Sequence, residues 1–224
     1  MDVQRILFTI AQSAPGFLMA IVFHEWAHGF VAKKFGDPTA EREGRLTFNP
    51  AAHVDPMGTV IFPLIGVVLG WAVIGWAKPV PVDGRNFKNH RKAMFWVSFA
   101  GPGANIILGT VSALGYAIVA TQVGQTFSYY AVTLQMLQYS IFINFLLAFF
   151  NLIPLPPLDG SKMVASFLKG EALRRYEEVA RFTPMIFLGI IALSMMGVST
   201  LGTVLGPLTS IGQSVTVYFL RIFS

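Results

Sequence analysis

The sequence has no cysteine and very little charge: Asp, Glu, Lys and Arg make up 12% of its 224 residues, about half of the roughly 25% usual in soluble domains. Without cysteine there is no disulfide framework, no thiol nucleophile and no thiolate ligand, so a bound metal must be held by imidazole and carboxylate. Acidic residues are the scarcer sign, 11 against 16 basic ones. What replaces the charge is apolar: 54% of residues, with a mean hydropathy of +0.61. These residues are gathered into long blocks with the charges between them. That layout excludes a soluble globule, disorder and a fibrous repeat, and predicts a polytopic, all-α membrane protein.

The net charge of +5 is not accompanied by any nucleic-acid-binding pattern, and the Lys and Arg flank apolar blocks, as the positive-inside rule requires. Met1 to Arg5 lacks a basic n-region and an A-x-A site, so the first apolar run reads as a retained membrane helix rather than a signal peptide. The core helices are expected at about 6–34, 93–121 and 131–153, and C-terminal helices at about 184–223, with a fifth block ending at Leu205 and a weaker tail from Leu208. No repeat or linker divides the chain, so residues 1–224 read as one membrane-embedded domain.

The block from Met57 to Trp76 is broken by Pro63, Gly66 and Gly70. Counting Lys and Arg in the connections settles its expected course. The first connection has four (Lys33, Lys34, Arg42, Arg45), the second five (Lys78 through Lys92), the third none and the fourth five (Lys162 through Arg181). The first, second and fourth therefore belong on the cytoplasmic side. A full crossing by Met57–Trp76 would put one basic loop outside, so about 57–83 is expected to be a re-entrant or extended segment, with a cavity beside it.

Inside the first block, His24-Glu25-Trp26-Ala27-His28 reads H-E-x-x-H. On a helix the two imidazoles lie about 40° apart on one face with Glu25 in the same arc. Two imidazoles one turn apart can ligate Zn²⁺, and the carboxylate beside them can take a proton from a metal-activated water. The alternative is a polar stripe of an amphipathic helix. By composition the pattern arises by chance only about 0.002 times in such a chain, and an unpaired intramembrane Glu costs a few kcal/mol. A third ligand is needed. Of Asp2, Asp37, Asp55, Asp83 and Asp159, the last is the best candidate, because it follows the fourth block on the side where His24 and His28 end the first. Read alone, Asp159-Gly160 is equally a turn or an N-cap.

H-E-x-x-H in a first core helix, followed far downstream by Asn151-Leu152-Ile153-Pro154-Leu155-Pro156-Pro157-Leu158-Asp159-Gly160, resembles the site-2 protease family of intramembrane zinc metalloproteases. Ala100-Gly101-Pro102-Gly103-Ala104-Asn105 is similar to that family's A-G-P-x-x-N motif. Gly75-Trp76-Ala77-Lys78-Pro79-Val80-Pro81-Val82 resembles a segment of compact members without a PDZ domain, and no polar stretch here is long enough for a PDZ or CBS domain. The resemblance implies a three-helix catalytic core, one Zn²⁺ per chain on His24, His28 and Asp159, and Glu25 as general base. It also implies a single-pass or other transmembrane protein as substrate, cleaved in or near its membrane segment. It implies regulated intramembrane proteolysis in the cell membrane, with the site nearer the cytoplasm. A non-proteolytic metal-binding or metal-transporting membrane protein is the alternative, although transport asks for polar residues on both sides.

Other polar residues carry two readings each. Asn105 lies one turn from Gly101 and from Gly109, a small-residue face that lets helices approach, so it is either glue or site-organising. Asn144 and Asn151 share a face of the fourth block, and the resemblance favours Asn151 in the site. His53, beside a Pro turn, either bonds its own loop or acts in gating or substrate contact. His90 reads as a solvated loop residue, and Trp71, Trp76 and Trp96 as interfacial anchors. Pro79 and Val80 belong to an extended segment whose edge is a candidate for pairing with an unwound substrate strand.

Overall fold

The computed structural model describes residues 3–69, 75–183, 185, 189 and 200–224. It is all-α, with no strand among the described residues. Among the described residues, three helices are long and apolar enough to cross a membrane: α1 (Val3–Lys34), α4 (His90–Gln122) and α5 (Tyr130–Leu152). At 1.5 Å per residue even α5 reaches about 34 Å, enough for a hydrocarbon core of about 30 Å. Shorter elements lie between them. They are α2 (Thr39–Arg42), α3 (Phe62–Leu69), α6 (Asp159–Phe167) and α7 (Gly170–Ala180), and the last described helix is α8 (Thr200–Phe223).

The chain punctuates these helices as its sequence suggests. Asn89 caps α4 by accepting from the Lys92 N–H at 3.1 Å, and Lys33 and Lys34 close α1 against its dipole. α8 runs unbroken through Leu205 to Leu208, so the separation of a fifth block from a weaker tail does not hold there. Pro207 lies inside the helix, as proline can when a membrane or neighbouring helices re-satisfy the freed carbonyl. The part of the fifth block before Thr200, apart from Met185 and Gly189, and Trp71 lie outside the described residues.

α4 is the central helix, packed against α1, α5, α6 and α8. In lipid, helices associate by close packing and interhelical hydrogen bonds rather than by hydrophobic burial. Glycines supply the close approaches. A Cβ on Gly16 of α1 would lie 3.0 Å from the Ser140 Cα of α5, and one on Gly109 of α4 would lie 3.1 Å from the Phe145 ring. Gln12 of α1 donates to Gln135 of α5, and Ser112 of α4 pairs with Ser140 at 2.8 Å.

Among its described residues, the segment after α2 holds no helix long enough to span. A π-helical turn, Pro56–Ile61, is capped by Asp55, whose Oδ1 accepts from Gly58 N at 2.7 Å, and leads into α3. Together they extend about 20 Å, short of a span. The chain then comes back on itself: Trp76 N donates to Gly58 O at 3.1 Å, and Thr59 Oγ1 donates to Trp76 O at 2.8 Å. Both ends of the segment therefore meet at one place. A cavity of about 500 Å³ lies between this segment, α1 and α5, lined among others by Phe17, Thr59, Leu64 and Phe142. Connections expected on one side also touch. Arg45 Nη2 donates to Lys78 O at 2.8 Å, and Arg91 Nη2 to Leu168 O at 2.7 Å.

Candidate metal centre

α1 carries His24 and His28 one turn apart, and α6 begins at Asp159 beside them. The three side chains are nearly buried, 6%, 9% and 7% exposed. Asp159 Oδ2 lies 3.1 Å from His24 Nε2 and 3.2 Å from His28 Nε2, and the three donor atoms lie within 4.8 Å of one another. Asp159 sits in the first turn of α6 rather than at its N-cap, which is Leu158. Gly160 is needed there: a Cβ would run into the Leu152 and Ile153 carbonyls where the chain leaves α5. Lys162, one turn on, holds the other carboxylate oxygen at 3.6 Å.

Hydrogen bonds behind the rings decide what these atoms can do. His28 Nδ1 lies 2.6 Å from the Val97 carbonyl, which only accepts, so this nitrogen carries the proton and Nε2 presents its lone pair. His24 Nδ1 lies 2.5 Å from Asn105 Oδ1. The Asn105 amide is oriented by its Nδ2, which donates to Ala20 O and to Asn144 Oδ1, each at 2.9 Å. Its oxygen therefore faces His24, and His24 Nδ1 must donate. With both Nδ1 atoms committed as donors, two imidazole Nε2 atoms and a carboxylate oxygen converge. This donor set suits a cation and fits Zn²⁺: N and O ligands at about 2.0–2.1 Å in a tetrahedron stand roughly 3.3 Å apart. Gly101 of α4 keeps the space open. A Cβ there would lie 2.6 Å from His24 Nε2 and closer still to His28 Nε2.

Glu25 is half-buried beside the 75–83 segment. Its Oε2 accepts from the Val80 N–H at 2.7 Å. Residues 75–83 have no regular secondary structure and are tied down at several points. Arg45 Nη2 donates to the Lys78 and Pro79 carbonyls at 2.8 and 3.2 Å, and Lys78 N donates to His53 O at 2.9 Å. Asp37, fully buried, accepts from Asp83 N and Asn86 Nδ2, both at 2.7 Å, and from Thr39 N and Oγ1. Burial opposes the charge on Asp37, but these donors outweigh it and hold its carboxyl below the usual range. Arg85 hydrogen-bonds Asp83 and lowers that exposed carboxyl to about 2. Gly29 lets the segment approach α1, since a Cβ would lie 3.1 Å from Val80 Cγ1.

The structure brings together His24, His28, Asp159 and Asn105, and sets Val80 against Glu25. Other candidates stand elsewhere. Asn151 Nδ2 donates to Leu147 O at 2.9 Å, within its own helix. His53 is fully buried with Nε2 on its own loop at Thr47 O, 2.8 Å, and touches the 75–83 segment through its carbonyl. Pro79 offers only its carbonyl, to Arg45. His90 opens α4 rather than a loop, with Nδ1 3.1 Å from Gly84 O, and is exposed. Trp76 lies beside Phe62, rings 5.1 Å apart, and is 47% exposed, while Trp96 is 45% exposed. Sequence reasoning assigned no bonding role to Arg45, Asp37 or Lys162, while Asn144, which it left open between bonding a substrate carbonyl and holding a neighbouring helix, accepts from Asn105 of α4. The first two had a signal, since a charged residue next to membrane blocks needs a buried partner if it is not solvated.

Residues 117–196 match the model of peptidase family M50. The chain is 35% identical to a Bacillus subtilis (strain 168) protein named as a zinc metalloprotease, YwhC, over 92% of this chain and 90% of that one. It is 30% identical to Rip2 of Mycolicibacterium smegmatis, also named as a zinc metalloprotease, over 71% of this chain and 58% of that protein. Rip3 of Mycobacterium tuberculosis is 31% identical over 46% of this chain and 26% of its own length. No solved structure matches.

Proposed function

The chain belongs to peptidase family M50, the site-2 protease family, and from that membership we propose that it is an intramembrane zinc endopeptidase of the H-E-x-x-H type. In this reading residues 1–224 form a single membrane-embedded domain that hydrolyses a peptide bond in or near a transmembrane segment of another membrane protein. The observation that carries it is the convergence of His24 Nε2, His28 Nε2 and Asp159 Oδ2 within 4.8 Å, each ring anchored through Nδ1. These three residues would hold one Zn²⁺ per chain. When bound, the ion supplies Lewis-acid polarisation of the scissile carbonyl and acidifies a water.

The chain's own groups do the rest. Glu25 takes the proton from the attacking water and delivers it to the leaving amine. Val80 N–H holds one carboxylate oxygen of Glu25, fixing its direction. A peptide bond inside a helix is shielded by its own hydrogen bonds, so the substrate must be unwound near the site. The 75–83 segment suits that task. Its described backbone is not helical and its Val80 N–H meets Glu25. A released substrate strand laid there regains lost hydrogen bonds beside the general base. Asn105 acts as an organising residue behind His24 rather than as a substrate ligand. The cell membrane is the site of action, with the metal centre toward the cytoplasm, where the basic connections gather. Regulated intramembrane proteolysis is the cellular role this reading gives the enzyme.

Glu25→Gln tests the mechanism. It should keep zinc at one equivalent and abolish cleavage of a co-expressed membrane substrate. Full activity in that variant rejects it.

A further inference from the structure

The hydrogen bond behind His24 does not end at Asn105. Asn144, fully buried in α5, accepts from Asn105 Nδ2 through Oδ1 at 2.9 Å. Its own Nδ2 donates to Ser140 O at 2.9 Å and to Ser140 Oγ at 3.3 Å. Ser140 Oγ lies 2.8 Å from Ser112 Oγ, and Ser112 Oγ donates to Leu108 O at 2.9 Å. A hydroxyl has one proton. Ser112 gives its proton to Leu108 O, so Ser140 must donate to Ser112, and Ser140 Oγ is left to accept from Asn144.

Every donor in this series therefore points the same way, from His24 through Asn105, Asn144, Ser140 and Ser112 to Leu108 O. Backbone carbonyls, which only accept, hold that direction at three points: Ala20, Ser140 and Leu108. Reversing Asn105 would set its oxygen against Ala20 O and Asn144 Oδ1 at once. Bonds in such a series strengthen one another, and in a dry helix bundle no water competes for them.

We propose that Asn144 is a positioning residue that fixes His24 in the Nδ1–H tautomer through Asn105, so that Nε2 always presents its lone pair to the metal site. The proposal rests on His24 being a zinc ligand. Its structural part stands apart from catalysis, because the tautomer belongs to the metal-free protein.

Two variants separate positioning from packing. Asn144→Leu keeps the branched side-chain shape, with two methyl groups in place of the amide, and removes the acceptor for Asn105. Asn144→Asp restores the acceptor toward Asn105. The full chain, ¹⁵N-labelled at histidine and stripped of zinc in detergent micelles, reports the tautomer by NMR, with His24 assigned from the resonances lost in His24→Gln. Zinc affinity is read by chelator competition, and folding by the melting temperature of the zinc-free form.

The native chain should show His24 protonated at Nδ1. Asn144→Leu should shift it toward Nε2–H and weaken zinc ten- to a hundredfold, the range for lost outer hydrogen bonds, and Asn144→Asp should return both to within about threefold of native. An Nε2–H tautomer in the native protein overturns the proposal whether or not any variant folds. A normally melting Asn144→Leu with native zinc affinity overturns it too. A native chain with the expected tautomer that binds no zinc refutes the function proposed above and leaves the relay standing.

Discussion

Replacing Gly101 with alanine adds one methyl group at the point where the two imidazoles face α4. The built Cβ lies 2.6 Å from His24 Nε2 and closer to His28 Nε2. Against an ordinary contact of about 3.5 Å the shortfall is roughly 0.9 Å, while metal–ligand distances tolerate about 0.2 Å. At least one ring must turn away, giving up its Nδ1 bond to Asn105 or Val97, worth about 1 kcal/mol. The Gly-to-Ala change returns about 1 kcal/mol of helix propensity, so zinc-free stability should stay within about 1 kcal/mol of native. Zinc affinity should fall at least a hundredfold, about 2.7 kcal/mol. Chelator competition measures the affinity, and melts with and without zinc measure the stability. A variant that binds zinc within threefold of native would refute the assignment of this pocket as the metal site.

Val80→Pro deletes the N–H that holds Glu25 while suiting an extended backbone; cleavage should drop tenfold or more with zinc content unchanged, and undiminished cleavage would discount the contact. Asp37→Asn leaves donors from Asp83 and Thr39 poorly matched and should destabilise the fold by about 1–3 kcal/mol, read by thermal melts at neutral pH; a native melting temperature would show the hub to be dispensable. Because the Asp37 carboxyl is held below its ordinary value, its contribution is present above about pH 4 and is lost as pH falls through the folded-state value; the stability difference between the native chain and Asp37→Asn should therefore shrink only in acid. The absence of cysteine lets single cysteines report one position each: residues placed at Thr47 and Arg85 should label from the same side of the membrane, and opposite labelling would sink the re-entrant topology.

Much of this was legible because a low-charge membrane chain makes each charge informative. The basic residues at Lys33, Arg45, Lys78 and Lys92 gave the expectation that the two ends of the 57–76 block lie together, and Trp76 N donating to Gly58 O brings those ends into contact. The spacing of His24 and His28 gave their shared face, since a helix fixes it. Asp159 was harder, because only tertiary folding brings it to α1 across more than a hundred residues. Asn105 and Asn144 were seen as polar but not as partners: a sequence shows which face an amide lies on, not what it meets there. Asp37 entered only as one of five candidate carboxylate ligands, because its donors, Asn86 and the Asp83 N–H, lie far along the chain. The Val80 contact with Glu25 was invisible for the same reason.

The anchors behind the metal ligands have one more consequence. His24 is held by Asn105 and His28 by the Val97 carbonyl, bonds made by protein atoms alone. In small zinc domains the ion is the keystone and its removal unfolds the chain. In the reading proposed above, assembly in the membrane and loading with metal should therefore be separable events, with activity following the supply of zinc while the fold does not.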